Sequence, residues 1–312
     1  MTSKDKHFLQ KPGALIFCAL ICTALWGSAF PCIKVGYQLF HIAAADTASQ
    51  MLFAGLRFFL AGVLTILIGS LQQRRFLRPR KTAIPKIFIL CVFQTILQYM
   101  LFYISLAHTT GVKGSIINGT AVLFSLLVTC LVFRQERITN KKLLGCIIGF
   151  MGIIIVNLTG TGFTMEFSFL GEGFMILAAL SNAFSNVFFK HFSDENPVML
   201  SGYQFMVGGA VLAIYGTCTG GTLGGCSEGS LLAPILLLIY MALISAVAYS
   251  LWGLLLKYNP VSKVTVFGFT NQIFGVLLSA LFLKETGTLG PQTFVALVLV
   301  CIGIVFVNKG KK

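Results

Sequence analysis

Apolar residues run along this chain in long blocks with almost no charge, separated by short clusters rich in Lys, Arg, Gly and Ser. The blocks fall at residues 14–36, 50–70, 87–107, 112–133, 143–160, 170–189, 198–217, 232–255, 264–283 and 291–308. A helix needs about 20 apolar residues, at 1.5 Å rise each, to cross roughly 30 Å of hydrocarbon. The pattern therefore predicts an all-α polytopic membrane protein with ten transmembrane helices. The gaps between blocks are short, so no separate soluble domain is expected. The first block follows Lys4, Lys6 and Lys11 as the core of a signal peptide would, but it runs on past Trp26 to Ile33 and reads as a retained span.

One block occurs twice. Residues 112–139 run without charge from Ser115 until Phe133-Arg134-Gln135-Glu136-Arg137, and residues 262–286 end in the same way at Leu283-Lys284-Glu285. Further matches keep the same order and nearly the same offset. Gly55-Leu56-Arg57-Phe58 corresponds to Gly202-Tyr203-Gln204-Phe205, and Tyr99, Leu101 and Leu106 to Tyr249, Leu251 and Leu256. Gly152 through Asn157 corresponds to Gly303 through Asn308. A steady offset marks an internal repeat. Residues 14–160 form one five-span unit and 161–308 the other, between tails 1–13 and 309–312. Because five is odd, the second unit must lie inverted relative to the first, an arrangement that places a substrate site where the halves meet.

Composition agrees with a bilayer as solvent: 56% of the 312 residues are hydrophobic, 10% are charged and the mean hydropathy is +0.89. A soluble domain carries about a quarter charged residues. The net charge of +14 would point to nucleic acid in a soluble chain, but its placement gives another reason. With the N-terminus inside, nineteen of the 23 Lys and Arg fall on inward segments, Lys113 and Lys284 face outward, and Lys34 and Arg57 lie within spans. The positive-inside rule then puts both termini in the cytosol, and attraction to anionic lipid accounts for the basic balance without nucleic acid. The nine cysteines contain no C-x-x-C and no His at metal spacing, so neither a metal nor a cofactor is expected. Cys218 and Cys226 share one loop and could pair there.

Polar side chains inside a bilayer are costly and usually face a cavity or a partner helix. In the fourth block Ser115, Asn118, Ser125 and Thr129 share a face, and Thr265, Gly268, Asn271, Gly275 and Ser279 repeat that stripe in the ninth. Gln94, Gln98 and Tyr99 lie in the third, Ser245, Tyr249 and Trp252 in the eighth, and Asn182 and Asn186 one turn apart in the sixth. The candidate substrate contacts are Trp26, Gln98, Tyr99, Asn118, Asn182, Tyr249, Trp252 and Asn271. Close helix packing explains many Ser, Thr and Gly stripes equally well, including Gly145-x-x-x-Gly149, and aromatics also fill interface belts. Lys34, Arg57, Glu136 and Arg137 are candidates for a gate or a structural role. Lys34 can snorkel to the headgroups, Arg57 can brace the bundle or attract a carboxylate, and Glu136 is expected to pair with Arg134, Arg137 or Lys141.

These marks resemble the drug/metabolite transporter superfamily, EamA-like family, over nearly the whole chain. The resemblance is carried by Ala24-Leu25-Trp26-Gly27-Ser28-Ala29-Phe30 with Lys34, by Leu56-Arg57-Phe58, by Glu136-Arg137 and its echo Glu285, and by Gly152 and Gly303. The family often has proline about thirteen residues before that glutamate, where this chain has Leu123 and Gln272, so a proline-made helix break is not expected. The resemblance implies a secondary carrier of small organic molecules. No Asp or Glu falls in mid-span, which argues against exchange of lipophilic cations for protons. The expected activity is export of a small polar metabolite, such as an amino acid, across the plasma (bacterial inner) membrane by alternating access. A carrier of phosphorylated or carboxylated anions gripped by Lys34 and Arg57 is the alternative. A passive channel or an intramembrane enzyme fits less well, the latter because no paired carboxylates, His cluster or activated Ser is present. The partners expected are the solute and the lipid bilayer, and the sequence leaves the oligomeric state open.

Overall fold

A computed structural model of the chain describes residues 8–43, 45–109, 111–157, 167–224, 232–283 and 291–309, and among these residues there is no strand. The helical stretches follow the apolar blocks to within about three residues. They are α1 (Pro12–Leu39), α2 (Thr47–Gln72), α3 (Ile84–Leu90, Cys91–Leu97 and Gln98–His108), α4 (Gly111–Gly119, Ala121–Leu127 and Val128–Val132) and α5 (Asn140–Asn157). The second half holds α6 (Phe169–Gly173 and Phe174–His191), α7 (Pro197–Cys218), α8 (Leu232–Tyr258), α9 (Val261–Thr265 and Gly268–Leu283) and α10 (Pro291–Lys309). Among the described residues, seven helices are long and apolar enough to cross a membrane, and Ile116–Val132 and Thr293–Lys309 are shorter apolar ones. Large apolar side chains point outward all round, among them Leu71 at 78% exposure and Phe294 at 70%. That is the surface of a polytopic membrane protein, whose outer face meets lipid.

Local chemistry sets the ends. The Asp46 carboxylate accepts the Ser49 N–H at 3.0 Å and caps α2, and the Asn196 side chain accepts the Val198 N–H at 3.0 Å ahead of α7, whose first residue is Pro197. After α1, α2 and α4 the chain turns through His41, Arg74 and Arg134, with φ of 53°, 49° and 51°. The Arg75 N–H donates back to the Ser70 carbonyl at 3.1 Å, closing α2. Between α6 and α7, Asp194 bonds Lys86 of α3, which holds its carboxyl below the ordinary aspartate range.

Glycine seams join the halves. α2 packs along α7, and α5 along α10. A Cβ on Gly55 would lie 2.3 Å from the Ala213 nitrogen and 2.8 Å from the Gly209 carbonyl oxygen, and one on Gly62 would lie 2.6 Å from the Gly202 carbonyl oxygen. Rising numbers on α2 meet falling numbers on α7, so the two helices run antiparallel. The same holds for α5 and α10, where Gly145 meets Gly303 and Gly152 meets Ala296. Inside these seams α1 lies against α8 and α9, and α6 against α3 and α4.

Two helices break where no proline stands. α4 is interrupted at Thr120, whose N–H and Oγ1 both turn back to the Ile117 carbonyl at 2.9 and 2.5 Å. α9 is interrupted at Val266 and Phe267, and the Thr270 hydroxyl satisfies the Phe267 carbonyl at 2.7 Å. Glycine on the flank (Gly119, Gly268) and a threonine hydroxyl do what a proline would otherwise do. α3, α4 and α6 also contain wider π-helical turns, at Cys91–Leu97, Val128–Val132 and Phe169–Gly173. Such turns rotate the side chains that follow them.

Candidate functional site

Both helix breaks open onto one cavity of about 180 Å³, bounded by α1, α3, α4, α6, α8 and α9 with Arg57 reaching in from α2. Trp26, Gln98, Tyr99, Asn118, Asn182, Tyr249, Trp252 and Asn271 all line it. Arg57 lines it too. The other charged candidates do not: Lys34 is exposed on α1, Arg137 is exposed beyond α4, and Glu136 lies at one end of the bundle. A larger hollow, of about 770 Å³, lies under the α2–α3 and α6–α7 loops among Arg75, Arg78, Glu195 and Lys257, and holds none of the expected contact residues.

Tyr99 and Tyr249 form the floor of the cavity, backed by the fully buried Phe58 and Phe205. Phe58 stacks on Phe205 with centroids 5.2 Å apart and planes at 14°, and the Tyr99 and Tyr249 hydroxyls bond one another at 2.8 Å. Phe58 then meets Tyr99 at 4.4 Å and Phe205 meets Tyr249 at 4.8 Å. Trp26 leans over this floor, 4.8 Å from Tyr249 and 5.0 Å from Trp252. The phenylalanines escaped the sequence reading because Phe in an apolar span looks like a lipid-facing residue. Their matching positions in the repeat were the available signal.

An amide chain runs along one wall. The Trp252 indole N–H donates to Asn186 Oδ1 at 2.9 Å, Asn186 Nδ2 to Asn182 Oδ1 at 3.1 Å, and Asn182 Nδ2 to Gln98 Oε1 at 3.1 Å. Every bond points the same way, so the Gln98 NH2 group is left at the end with donors to offer. On α3, about one turn before Gln98, Gln94 Oε1 accepts from Gln204 Nε2 at 2.9 Å, and Thr95 Oγ1 donates to Gln204 Oε1 at 2.6 Å. Gln204 was missed, although the repeat aligns it with Arg57.

Arg57 is 4% exposed and donates through Nε (3.3 Å) and Nη2 (3.0 Å) to the Ser245 hydroxyl, with its guanidinium 4.9 Å from the Phe58 ring centre. No carboxylate pairs with it among the described residues. Two further cavity atoms, Trp26 Nε1 and Asn271 Oδ1, are buried without a hydrogen-bond partner. The small hydroxyls, by contrast, are mostly spent on their own helices: Ser125 bonds the Ala121 carbonyl at 2.8 Å and Thr129 the Ser125 carbonyl at 2.5 Å.

Glu136 departs from expectation. It pairs with none of Arg134, Arg137 and Lys141; instead Lys142 Nζ reaches it at 2.6 Å, the Ser262 N–H donates to it at 3.1 Å, and the Ser262 hydroxyl bonds it as well. The left-handed turn at Arg134 aims the carboxylate across the bundle at the N-terminus of α9, where unpaired N–H groups attract an anion. Lys142, in the first turn of α5, faces it there. The side chains of Lys113, Ser115 and Ser279, and all of Lys284, Glu285 and Cys226, lie outside the described residues.

Comparison with known proteins adds the family. An uncharacterised transporter of Archaeoglobus fulgidus is 25% identical over 91% of this chain and 96% of its own length. The uncharacterised transporter YvbV of Bacillus subtilis is 25% identical over 92% and 89%. A probable amino-acid metabolite efflux pump of Salmonella typhimurium is 26% identical over 87% and 88%. One solved crystal structure superposes with a TM-score of 0.75 over 94% of this chain and 96% of that one, at 14% identity, a likeness of fold alone. The model of the EamA-like transporter family matches twice, at residues 13–158 and 169–309, and the chain therefore belongs to that family of membrane transporters.

Proposed function

We propose that this protein is a secondary carrier that exports a small polar organic metabolite, of the amino-acid type, by alternating access. In this reading all ten helical stretches cross the plasma membrane, both termini are cytosolic, and residues 14–160 and 161–308 are inverted copies. The observation that carries it is a set of contacts made twice. Gly55 with Gly209 has its counterpart in Gly62 with Gly202, Gly145 with Gly303 in Gly152 with Ala296, and Phe58 with Tyr99 in Phe205 with Tyr249. Arg57 with Ser245 matches Gln204 with Thr95. Contacts related in this way argue for a two-fold axis through the Phe58–Phe205 and Tyr99–Tyr249 pairs, with the cavity beside it.

Discontinuous helices in corresponding positions of two inverted halves are where such carriers hold their solute, and the breaks in α4 and α9 fit that pattern. The cavity, about 180 Å³, is below the usual range of drug pockets and suits a small metabolite better than a lipophilic drug. The Salmonella relative's name supports amino-acid-like solutes and the export direction. Replacing both Asn118 and Asn271 by Leu removes two amides from the wall while keeping the same branched side-chain skeleton. The expected result is loss of the metabolite release that expression of the wild-type protein confers, at unchanged membrane levels; undiminished release would remove the site assignment.

A further inference from the structure

The larger hollow, of about 770 Å³, has a chemistry that solute transport leaves unused. Its walls come from both halves: the α2–α3 loop on one side, the α6–α7 loop and the last turn of α8 on the other. Arg75, Arg78 and Arg80 line it with exposed side chains, and none of the three pairs with a carboxylate among the described residues. The carboxylates in the same wall, Asp194 and Glu195, are both held by Lys86, the second at 3.2 Å. Lys257 adds a further cation, its Nζ donating to the Glu195 backbone carbonyl at 2.6 Å. The hollow is therefore strongly positive. Its rim is apolar: Phe76 lines it and is exposed, and Leu71 and Ile84, on either side of the loop in the chain, are exposed as well.

We propose that this hollow binds the phosphate headgroup of an anionic phospholipid of the cytosolic leaflet, with the acyl chains lying over Leu71, Phe76 and Ile84. A phosphodiester offers the paired acceptor oxygens that a planar guanidinium fork fits, and basic pockets between helices at the cytosolic face are suited to such headgroups. Free phosphate meets the same arginines but leaves the apolar rim bare. A zwitterionic lipid brings its own ammonium into a hollow that is already cationic. Because the headgroup touches both halves, its binding stabilises the assembled bundle by mass action. The site shares no lining residue with the central cavity and is independent of the solute carried; only its cytosolic placement rests on the orientation proposed above.

The test titrates the full-length protein, in micelles of a neutral detergent, with phosphatidylglycerol, phosphatidylcholine or inorganic phosphate and reads the Tm. Phosphatidylglycerol should raise Tm saturably, and the other two should leave it in place. A basic side chain beside an anionic headgroup contributes roughly fivefold, so Arg75→Gln, Arg78→Gln and Arg80→Gln together should weaken the apparent affinity for phosphatidylglycerol by about tenfold or more. Arg134→Gln, Arg137→Gln and Lys141→Gln remove as much charge elsewhere on the same side, and should change that affinity by less than about twofold, a charge effect outside the hollow being screened. No rise with phosphatidylglycerol, an equal rise with phosphatidylcholine, or equal weakening by the two triple variants would overturn the site. An equal rise with inorganic phosphate would overturn the lipid as its ligand. Should the first triple variant not fold, Arg75→Gln alone should weaken the affinity by about fivefold, and an unchanged affinity would overturn the proposal. None of these outcomes bears on the carrier reading, which the solute-release experiment decides.

Discussion

Replacing Gly209 by alanine puts one methyl group into one of the two tightest glycine contacts between α2 and α7. The new Cβ would lie 2.3 Å from the Phe59 nitrogen and 2.8 Å from the Gly55 carbonyl oxygen. Both are backbone atoms of α2, so no rotamer change relieves the clash, and α2 and α7 must separate by about 1 Å to restore ordinary contact distances. Overpacking of this kind costs about 1–3 kcal/mol and sometimes more, and a rigid backbone opponent puts it at the upper end. Alanine returns about 1 kcal/mol of helix propensity over glycine. The net expectation is about 2 kcal/mol of destabilisation, seen as a fall of roughly 4 °C in the Tm of purified protein in detergent. Gly13→Ala is the control, because nothing lies within 4 Å of its Cβ position, and it should leave Tm unchanged or slightly raised. A Gly209→Ala protein as stable as the wild type would refute the close-packed seam.

Other perturbations probe the floor of the cavity and the end of the bundle. Tyr99→Phe and Tyr249→Phe each leave one hydroxyl unpaired and should each cost about 1 kcal/mol, while the double variant should cost no more than either alone; additive losses in thermal unfolding would show that the 2.8 Å bond between the hydroxyls does not hold the floor. Glu136→Gln keeps the shape of the contact with Ser262 but removes the charge facing Lys142. It should lower stability by about 1–3 kcal/mol, and an unchanged Tm would mean that this contact contributes nothing.

The helices, the repeat and the residues that gather round the cavity were legible because each is a one-dimensional pattern. Apolar block length gives the helix, offset gives the repeat, and three-to-four spacing brings Asn118 to the same face as Ser125. Contacts between helices distant in sequence were less visible. Glu136 has four basic residues nearby in the chain, yet it pairs with the most distant of them, Lys142, and with Ser262, because the turn at Arg134 decides where the carboxylate points. The breaks in α4 and α9 carry no proline to announce them; glycine and threonine are too common in apolar spans to mark a break by themselves. Arg57 was recognisable as a buried charge, but its bond to Ser245 follows from the crossing of α2 and α8, which no spacing encodes.

Sidedness is the most direct test of the central claim, that two inverted copies of one unit surround the cavity. Arg75 and Thr219 are exposed just past the C-terminal ends of α2 and α7, the corresponding helices of the two halves. With the nine native cysteines replaced, single cysteines at positions 75 and 219 can be labelled with a membrane-impermeant maleimide. Inversion predicts that position 219 reacts in intact cells while position 75 reacts only after permeabilisation; both reacting from the same side would contradict it.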